Sequence, residues 1–399
     1  MGMSKWWTCC AVLALISCAP EPALVASNCD DPEGCAGGQA LKLDAVDILL
    51  VVDDSASIAT SVKALKQQLP RLLNAITSGE GEGTSFPPAQ SVHVVVTTTD
   101  MGIGERDDPT SLGCDVAGQD GVFIKPGERK LSCEVQHPSY LSFDGGPAAV
   151  ATVESVSCVP LVGPDPDADM SEQKAGCGYE QPLEAVLKSL WSKDDDSVEF
   201  VQGFGHGDDE NAGFLRENSL LVVVVVTDED DCSPADLKFF DRVPGEPVNL
   251  LCSRHPDSLQ RTSRYVEGLR ALRPNNKNVI FGVVGGIPAE LVSAEYRARY
   301  DLSKDSGVGE YYAAILADER MQESEDTDQP GPVRSLRPSC KDLVDGQPRL
   351  TFPPRRLLEV AKGFGTRSVV GSLCTDDFGV TTGQVIRAIG EQLANPAGK

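Results

Sequence analysis

The sequence lacks several residue patterns that define common protein classes. Only four of its 399 residues are histidine, and 60 acidic residues face 35 basic ones, which gives a formal net charge of -25. Nucleic acids and anionic membranes bind basic patches, so a net charge of this sign argues against both as partners. After the first residues, no apolar run approaches the length of a transmembrane helix. The composition therefore argues against nucleic-acid binding and favours a soluble, cation-attracting surface.

Motifs for hydrolytic catalysis are absent as well. The chain contains no G-x-S-x-G, no H-E-x-x-H and no S-x-x-K followed by its partner motifs. The few histidines stand outside any catalytic motif, so surface or structural roles account for them. We therefore predict that the protein is not an enzyme. A hydrolase whose motif is not visible in the sequence stays as an alternative.

The N-terminus has the features of a secretion signal. Residues 1–5 carry one positive charge, and residues 6–17 are almost entirely apolar but too short to span a bilayer. The segment ends in the letters LISC, residues 15–18, which resemble the lipobox of bacterial lipoproteins. That resemblance implies cleavage before Cys18, a lipid on this cysteine as the only membrane attachment, and a place in the cell envelope. Because Ala19 is not the aspartate that retains such proteins in the inner membrane, we expect the outer membrane. An ordinary signal peptide cut elsewhere is the alternative.

The cysteines lack the short C-x-x-C spacing that zinc sites favour. Of the thirteen, Cys9 and Cys10 belong to the signal and Cys18 would carry the lipid, so ten remain. An even number in an exported chain implies disulfide bonds. The sequence alone does not fix their connectivity, and near-neighbour pairing is the simplest prediction: Cys29 with Cys35, Cys114 with Cys133, Cys158 with Cys177, Cys232 with Cys252, and Cys340 with Cys374.

The rest of the chain divides into a tether and one elaborated α/β domain. Residues 18–42 are rich in proline and glycine without a sustained apolar period, which is typical of a tether. In residues 43–395, strand and helix patterns alternate, as in a doubly wound, mainly parallel sheet with helices on both faces. The predicted strands are 46–52, 92–98, 220–227, 279–284 and 368–373, and the predicted helices are 58–76, one that begins near Glu180, 259–272, 355–361 and 385–393.

Two long stretches interrupt this alternation, at about residues 101–176 and about residues 288–351. Neither shows a clean apolar period. We interpret both as insertions at loop ends of the sheet, pinned by disulfides because they bury little core of their own. A separate second domain is the alternative.

Oxygen-bearing side chains cluster after the first predicted strand. The apolar run ILLVV ends at Asp53 and Asp54, and Ser55 and Ser57 follow in the same turn. Alternating residues of a tight turn can converge, which makes one carboxylate and two hydroxyls available at one point. Hard divalent cations prefer such oxygen ligands, and the carboxyl ends of parallel strands collect them from several loops. The sequence therefore predicts a divalent-cation site here.

This cluster resembles the D-x-S-x-S motif of the von Willebrand factor type A family, which binds magnesium or a similar ion at a metal-ion-dependent adhesion site. In that family a second aspartate is the D of a T-D pair at the end of the next core strand, and residues 220–228, LLVVVVVTD, put Asp228 there. The resemblance covers about residues 44–393 outside the insertions, and it is greatest to type A-domain lipoproteins of myxobacteria and related Gram-negative bacteria. It implies a Rossmann-like fold and a bound cation, magnesium or calcium, with manganese as a further option. The implied metal ligands are Asp53, Ser55, Ser57 and Asp228.

The chain departs from the family at the next ligand. The family brings a threonine from a loop before a helix, but Cys177 or Gly178 stands at that position. Other oxygens could replace the threonine, either from the same loop or from the end of the second strand. The candidates are Glu180, Gln181, Thr98 and Thr99.

Further carboxylates follow the second aspartate. Glu229 replaces the family's glycine, and Asp230 and Asp231 come next. These side chains would support a second cation or shift the preference toward calcium, which tolerates more ligands and looser geometry than magnesium. Asp230 is therefore a further candidate ligand.

A metal-free interpretation accounts for the same residues. Asp53, Ser55 and Ser57 could cap the helix that follows them, because side-chain oxygens satisfy the free N–H groups of a first turn. Asp228 could cap a short helix in the same way. The site would then be degenerate.

The resemblance implies a lipid-anchored domain that binds a protein or glycan ligand through the cation, with an acidic group of the partner completing the coordination. Two alternatives stay open: a structural or assembly lipoprotein of the cell envelope whose insertions form the contact surface, and the hydrolase mentioned above.

Overall fold

The computed structural model describes residues 43–105, 113–125, 140–144, 176–241, 246–328, 334–344 and 347–396. The predicted signal and tether lie outside these residues, as do Cys18, Cys29, Cys35, Cys133 and Cys158. Within the described part, no helix is both long and apolar enough to cross a membrane.

The central sheet of the described residues has six strands: β1 (Ala45–Val52), β2 (Ser91–Thr98), β3 (Leu141–Asp144), β4 (Ser219–Val226), β5 (Val279–Gly285) and β6 (Ser368–Ser372). Their order in the sheet is β6-β5-β4-β1-β2-β3. Neighbouring strands are parallel, except that β2 and β3 are antiparallel. Counted from the other edge, this is the 3-2-1-4-5-6 order of doubly wound folds. The predicted mainly parallel α/β sheet is thus confirmed.

Helices cover both faces of this sheet. The longer ones are α1 (Ala59–Ser78), α2 (Pro182–Leu190), α3 (Thr262–Ala271), α4 (Asp305–Ala317), α5 (Arg355–Gly363) and α6 (Gly379–Ala394). One apolar core joins α1 and α6 to one face of the sheet, and a second core joins α2, α3, α4 and α5 to the other. Single-turn helices Leu251–Arg254 and Ala294–Arg297 and two hairpins, Glu80–Gly81 with Thr84–Ser85 and Cys340–Val344 with Gln347–Thr351, are also present.

The central strands are buried because their sequences leave no polar face. All eight residues of β4, SLLVVVVV, are buried. In β1, Ile48 and Leu50 enter one core, whereas Leu49 and Val51 enter the other. β-Branched and apolar residues on both faces are what a covered parallel strand requires.

The second predicted insertion contains more regular structure than its sequence indicated. Helix α4 lies within it, and Val308, Tyr311 and Ile315 belong to the second core of the sheet. Its apolar residues are spread around the helix and not along one stripe, so no helical period was visible. This stretch therefore contributes to the second core of the sheet.

The first predicted insertion contributes an edge strand and a small third core. β3 pairs with β2 along four residues. Ile103 and Cys114 pack with Tyr179, Phe240 and Leu259 in an apolar cluster separate from the two cores of the sheet. The described part of this stretch therefore contributes to a core that it shares with later segments of the chain.

Three disulfides join described cysteines. Cys232–Cys252 and Cys340–Cys374 confirm two predicted pairs. Cys114 bonds Cys177, across 63 residues, so the predicted pairs Cys114 with Cys133 and Cys158 with Cys177 are wrong. Near-neighbour pairing failed because the fold brings together two cysteines that are 63 residues apart in the sequence.

Candidate metal centre

Strands β1 and β4 lie side by side, and the chain leaves them toward opposite edges of the sheet. Val52 is paired with Val226, and the Asp53 N–H donates to the Val226 carbonyl at 2.9 Å. β1 continues to β2 on one side, whereas β4 continues to β5 on the other. The crevice at such a switch point is where doubly wound folds bind ligands. Asp53 and Asp228, which follow β1 and β4, flank this crevice.

Asp53 is fully buried and organises the turn after β1. Its Oδ1 accepts the Ser55 N–H at 2.7 Å, and its Oδ2 accepts the hydroxyl of Thr227 at 3.0 Å. The hydroxyls of Ser55 and Ser57 lie 2.9 Å apart, so the turn brings the two serines together as predicted. Thr227 as a partner of Asp53 was not predicted, although the T of the T-D pair was its signal.

The helix-capping interpretation does not describe α1. The N-cap position is Ile58, and no side chain caps this helix. A single 3₁₀ turn, Ala56–Ile58, separates the serines from α1. The Asp53 carboxylate instead bonds within its own turn and to the neighbouring strand.

Asp228 is buried, and neither of its carboxylate oxygens accepts a hydrogen bond of good geometry. Burial raises its pKa well above the ordinary value, and the carboxylates of Asp53 and Glu229 raise it further, while the Ser57 hydroxyl acts in the opposite direction. The backbone carbonyl of Asp228 accepts the Phe352 N–H at 2.7 Å, which fixes the residue. An anion held without donors beside other anions is unfavourable in a protein interior.

Glu180 reaches the same cluster from the loop before α2. Its side chain is buried, one oxygen accepts the hydroxyl of Thr99, and the other, Oε1, has no hydrogen-bond partner. Burial raises the pKa of Glu180 well above its usual range, and the negative charges of Asp53, Glu229 and Asp54 raise it further. Thr99 was a candidate metal ligand, but its hydroxyl donates a hydrogen bond to the Glu180 carboxylate and so supports that side chain.

Glu229 keeps part of its side chain at the surface beside this cluster. Burial, followed by the charge of Asp53, raises its pKa from 4.5 to about 7. The dominant charged neighbours of Glu180, Asp228 and Glu229 are thus all carboxylates.

Asp230 does not join the cluster. Its carboxylate accepts the N–H groups of Arg356 at 2.9 Å and of Leu357 at 3.3 Å, at the beginning of α5. Burial, and then the charge of Glu323, raises its pKa to about 8. Asp231 accepts the Leu183 N–H at 2.9 Å, at the beginning of α2. These two aspartates cap helices, which accounts for them without a second cation.

The donor set fits a hard cation. Asp228 and Glu180 present buried carboxylate oxygens without donors, and a positive ion would compensate them. Asp53, Ser55, Ser57 and Asp228 would hold it. Among the described residues, no three Asp, Glu, His or Cys side chains lie close enough to hold one ion. A site here would therefore use one or two carboxylates together with hydroxyl and water oxygens, as magnesium sites commonly do.

Comparisons with known proteins do not assign a function to this chain. No model of a known protein family matches the chain, and no curated protein matches it.

Proposed function

We propose that this protein is a von Willebrand factor type A-like binding domain that holds a divalent cation at the β1/β4 switch point and uses it to bind a protein or glycan ligand. One observation carries the proposal: the Asp228 carboxylate is buried beside Asp53 with no hydrogen bond of good geometry, where the strand order reverses. The D-x-S-x-S spacing and the 3-2-1-4-5-6 sheet order support it.

The chain's own residues have distinct parts in this function. Asp53, Ser55 and Ser57 would offer oxygens from one turn, and Thr227 holds the Asp53 carboxylate in place. Asp228 would add negative charge from the neighbouring strand. The bound cation supplies a Lewis-acidic position that a partner's oxygen can occupy. Magnesium, calcium and manganese are the candidate ions, because each takes oxygen ligands.

The decisive experiment is calorimetric titration of the chelator-treated chain from Cys29 onward with magnesium, manganese and calcium. We expect saturable binding that Asp53→Asn and Asp228→Asn abolish. Glu267→Gln is the matched control, because Glu267 lies exposed on α3 and its replacement removes the same charge. Equal binding by wild type and both site variants would refute the proposal.

The same proposal includes export and a lipid anchor at Cys18, with a final location in the cell envelope at the outer membrane. The LISC motif supports the anchor, and the net charge of -25 supports a membrane contact through lipid alone. A Cys18→Ala variant should leave the membrane fraction of cells, and its retention there would contradict the anchor.

A further inference from the structure

A cavity of about 500 Å³ lies beside β6, the strand at one end of the described sheet. It is lined by α4, by α6, by the first three residues of β6 and by residues between Arg297 and Ser303. The amino end of β6 and the candidate metal centre, which follows the carboxyl ends of β1 and β4, belong to opposite edges of the parallel sheet. The cavity is therefore a separate feature, and its size is that of small-molecule pockets, about 300–1,000 Å³.

Apolar side chains form one part of the lining. Val308, Tyr311 and Tyr312 of α4 and Val369 and Val370 of β6 line the cavity, and all five are buried. Such a surface favours an apolar group, because apolar area removed from water contributes about 25 cal/mol per Å². The cavity therefore fits a ligand with an apolar body.

The hydroxyl of Tyr312 is an unused hydrogen-bond donor at this cavity. Tyr312 is 1 % exposed, and its hydroxyl forms no hydrogen bond of good geometry. The Ser368 hydroxyl lies near it but donates to the Gly365 carbonyl at 2.6 Å. Tyr311, in contrast, donates its hydroxyl to the Leu291 carbonyl at 3.0 Å. Because buried tyrosine hydroxyls usually have a partner, an oxygen of a ligand would supply the one that Tyr312 lacks.

Two arginines line the same cavity without a carboxylate partner. Arg297 donates to the neutral side-chain carbonyl of Gln384 at 2.8 Å, and Arg387 is exposed on α6 without a hydrogen bond or ion pair to a described residue. No carboxylate oxygen of the described residues lies within 4.0 Å of either guanidinium. Other arginines of this acidic chain do pair with carboxylates. The cavity thus keeps two guanidinium groups available to a ligand.

The charges of the lining indicate the charge of that ligand. Arg297 and Arg387 contribute two positive charges, and Glu391 contributes one negative charge. The positive charge that remains matches a monoanion. Guanidinium groups bind planar carboxylates through two parallel hydrogen bonds, which favours a carboxylate as the anionic group.

We propose that this cavity binds a small organic carboxylate with an apolar body. Arg297 and Arg387 attract the carboxylate, the buried valines and tyrosines hold the apolar body, and the Tyr312 hydroxyl donates to an oxygen of the ligand. This second site goes beyond the proposed function and does not require the cation.

Calorimetric titration with octanoate tests the proposal on the chain from Cys18 onward, made without the lipid. Octanoate supplies both a carboxylate and an apolar body, whereas acetate supplies only the carboxylate and 1-octanol lacks the charge. We expect saturable binding of octanoate that chelator leaves unchanged. Acetate and 1-octanol should bind at least about tenfold more weakly.

Three variants locate the binding. Arg387→Gln should weaken octanoate binding at least about fivefold, because it removes a guanidinium that pairs with the carboxylate. Arg261→Gln is the matched control, since Arg261 is an exposed arginine outside the cavity, and it should bind octanoate like wild type. Tyr312→Phe should weaken binding about threefold without lowering stability in the absence of octanoate, because it removes a hydroxyl that lacks a partner.

Each contrary result overturns a stated part of the proposal. The site itself is overturned if wild type shows no saturable octanoate binding, or if Arg387→Gln binds octanoate as tightly as wild type. Acetate or 1-octanol binding as tightly as octanoate would overturn the ligand class, and unchanged binding by Tyr312→Phe would overturn the assigned hydrogen bond. Asp53→Asn, which removes the proposed cation site, should bind octanoate like wild type, and a loss there would overturn the independence of the two sites.

Discussion

The two ends of strand β1 hold buried carboxylates in opposite electrostatic surroundings. At the amino end, Asp47 is fully buried and its oxygens accept the Arg216 N–H and Nε–H, each at 2.8 Å, and the Ser219 hydroxyl. Arg273 lies 3.6 Å away. The fold itself supplies the positive charge at this end.

At the carboxyl end, Asp228 and Glu180 are equally buried, but the strongest charges around them are other carboxylates. The same strand thus ends in one cluster that arginines neutralise and one whose dominant charged neighbours are carboxylates. The comparison teaches that buried acids are not evidence of a site by themselves. A binding site is indicated by a buried acid whose negative charge is neutralised by a bound cation and not by a side chain of the protein.

The largest expected effect is at the amino end. Asp47→Asn removes the counter-charge of Arg216 and of the buried Arg273, and breaking a buried ion pair from one side costs about 3–5 kcal/mol. We expect the free energy of unfolding to fall by this amount in urea denaturation, with or without divalent cations. A loss below about 1 kcal/mol would break the comparison, because Asp47 would then not depend on its arginines.

An intermediate effect is expected from pH at the carboxyl end of the cation-free protein. Raised carboxylate pKa values mean that the folded state binds more protons than the unfolded state, so stability falls as pH rises. For Glu229, the stabilising contribution is complete below about 4.5 and is lost as pH rises through about 7. We expect the free energy of unfolding to be lower at pH 8 than at pH 5 by about 1–3 kcal/mol.

Two controls belong to that measurement. Glu229→Gln should flatten the pH profile, and saturating calcium should restore stability at pH 8 far more than at pH 5, because protons compete with the cation. A profile that rises with pH in chelator would show that the cluster is not the dominant titrating group.

The smallest expected effect is a change in stability that reverses its sign between chelator and calcium. In chelator at pH 8, Asp228→Asn should raise the free energy of unfolding by about 1 kcal/mol, because it removes a carboxyl group whose ionised form is disfavoured by burial and by neighbouring carboxylates. With calcium present, the same variant should be less stable than wild type, since only wild type gains from binding. A loss of stability in chelator would remove the contrast with Asp47.

The sequence predicted the central sheet well because covered parallel strands need unbroken apolar runs, and β1 and β4 have them. It also predicted the approach of Asp53 to Asp228, since adjacent parallel strands end at the same edge. Helix α4 was missed because its apolar residues follow no stripe. The contact of Thr99 with Glu180 and the Cys114–Cys177 bond depend on how separate loops meet in three dimensions, which local patterns do not encode.

The two helix caps after β4 have a consequence for how the chain folds. Asp231 bonds a residue 48 positions earlier, and Asp230 bonds one 126 positions later. Contacts of such sequence separation form only after large loops have closed, and chains rich in them fold slowly. We expect α2 and α5 to acquire their final first turns late, when β4 is already in the sheet, so that amide protons at these turns gain protection after those of the strands.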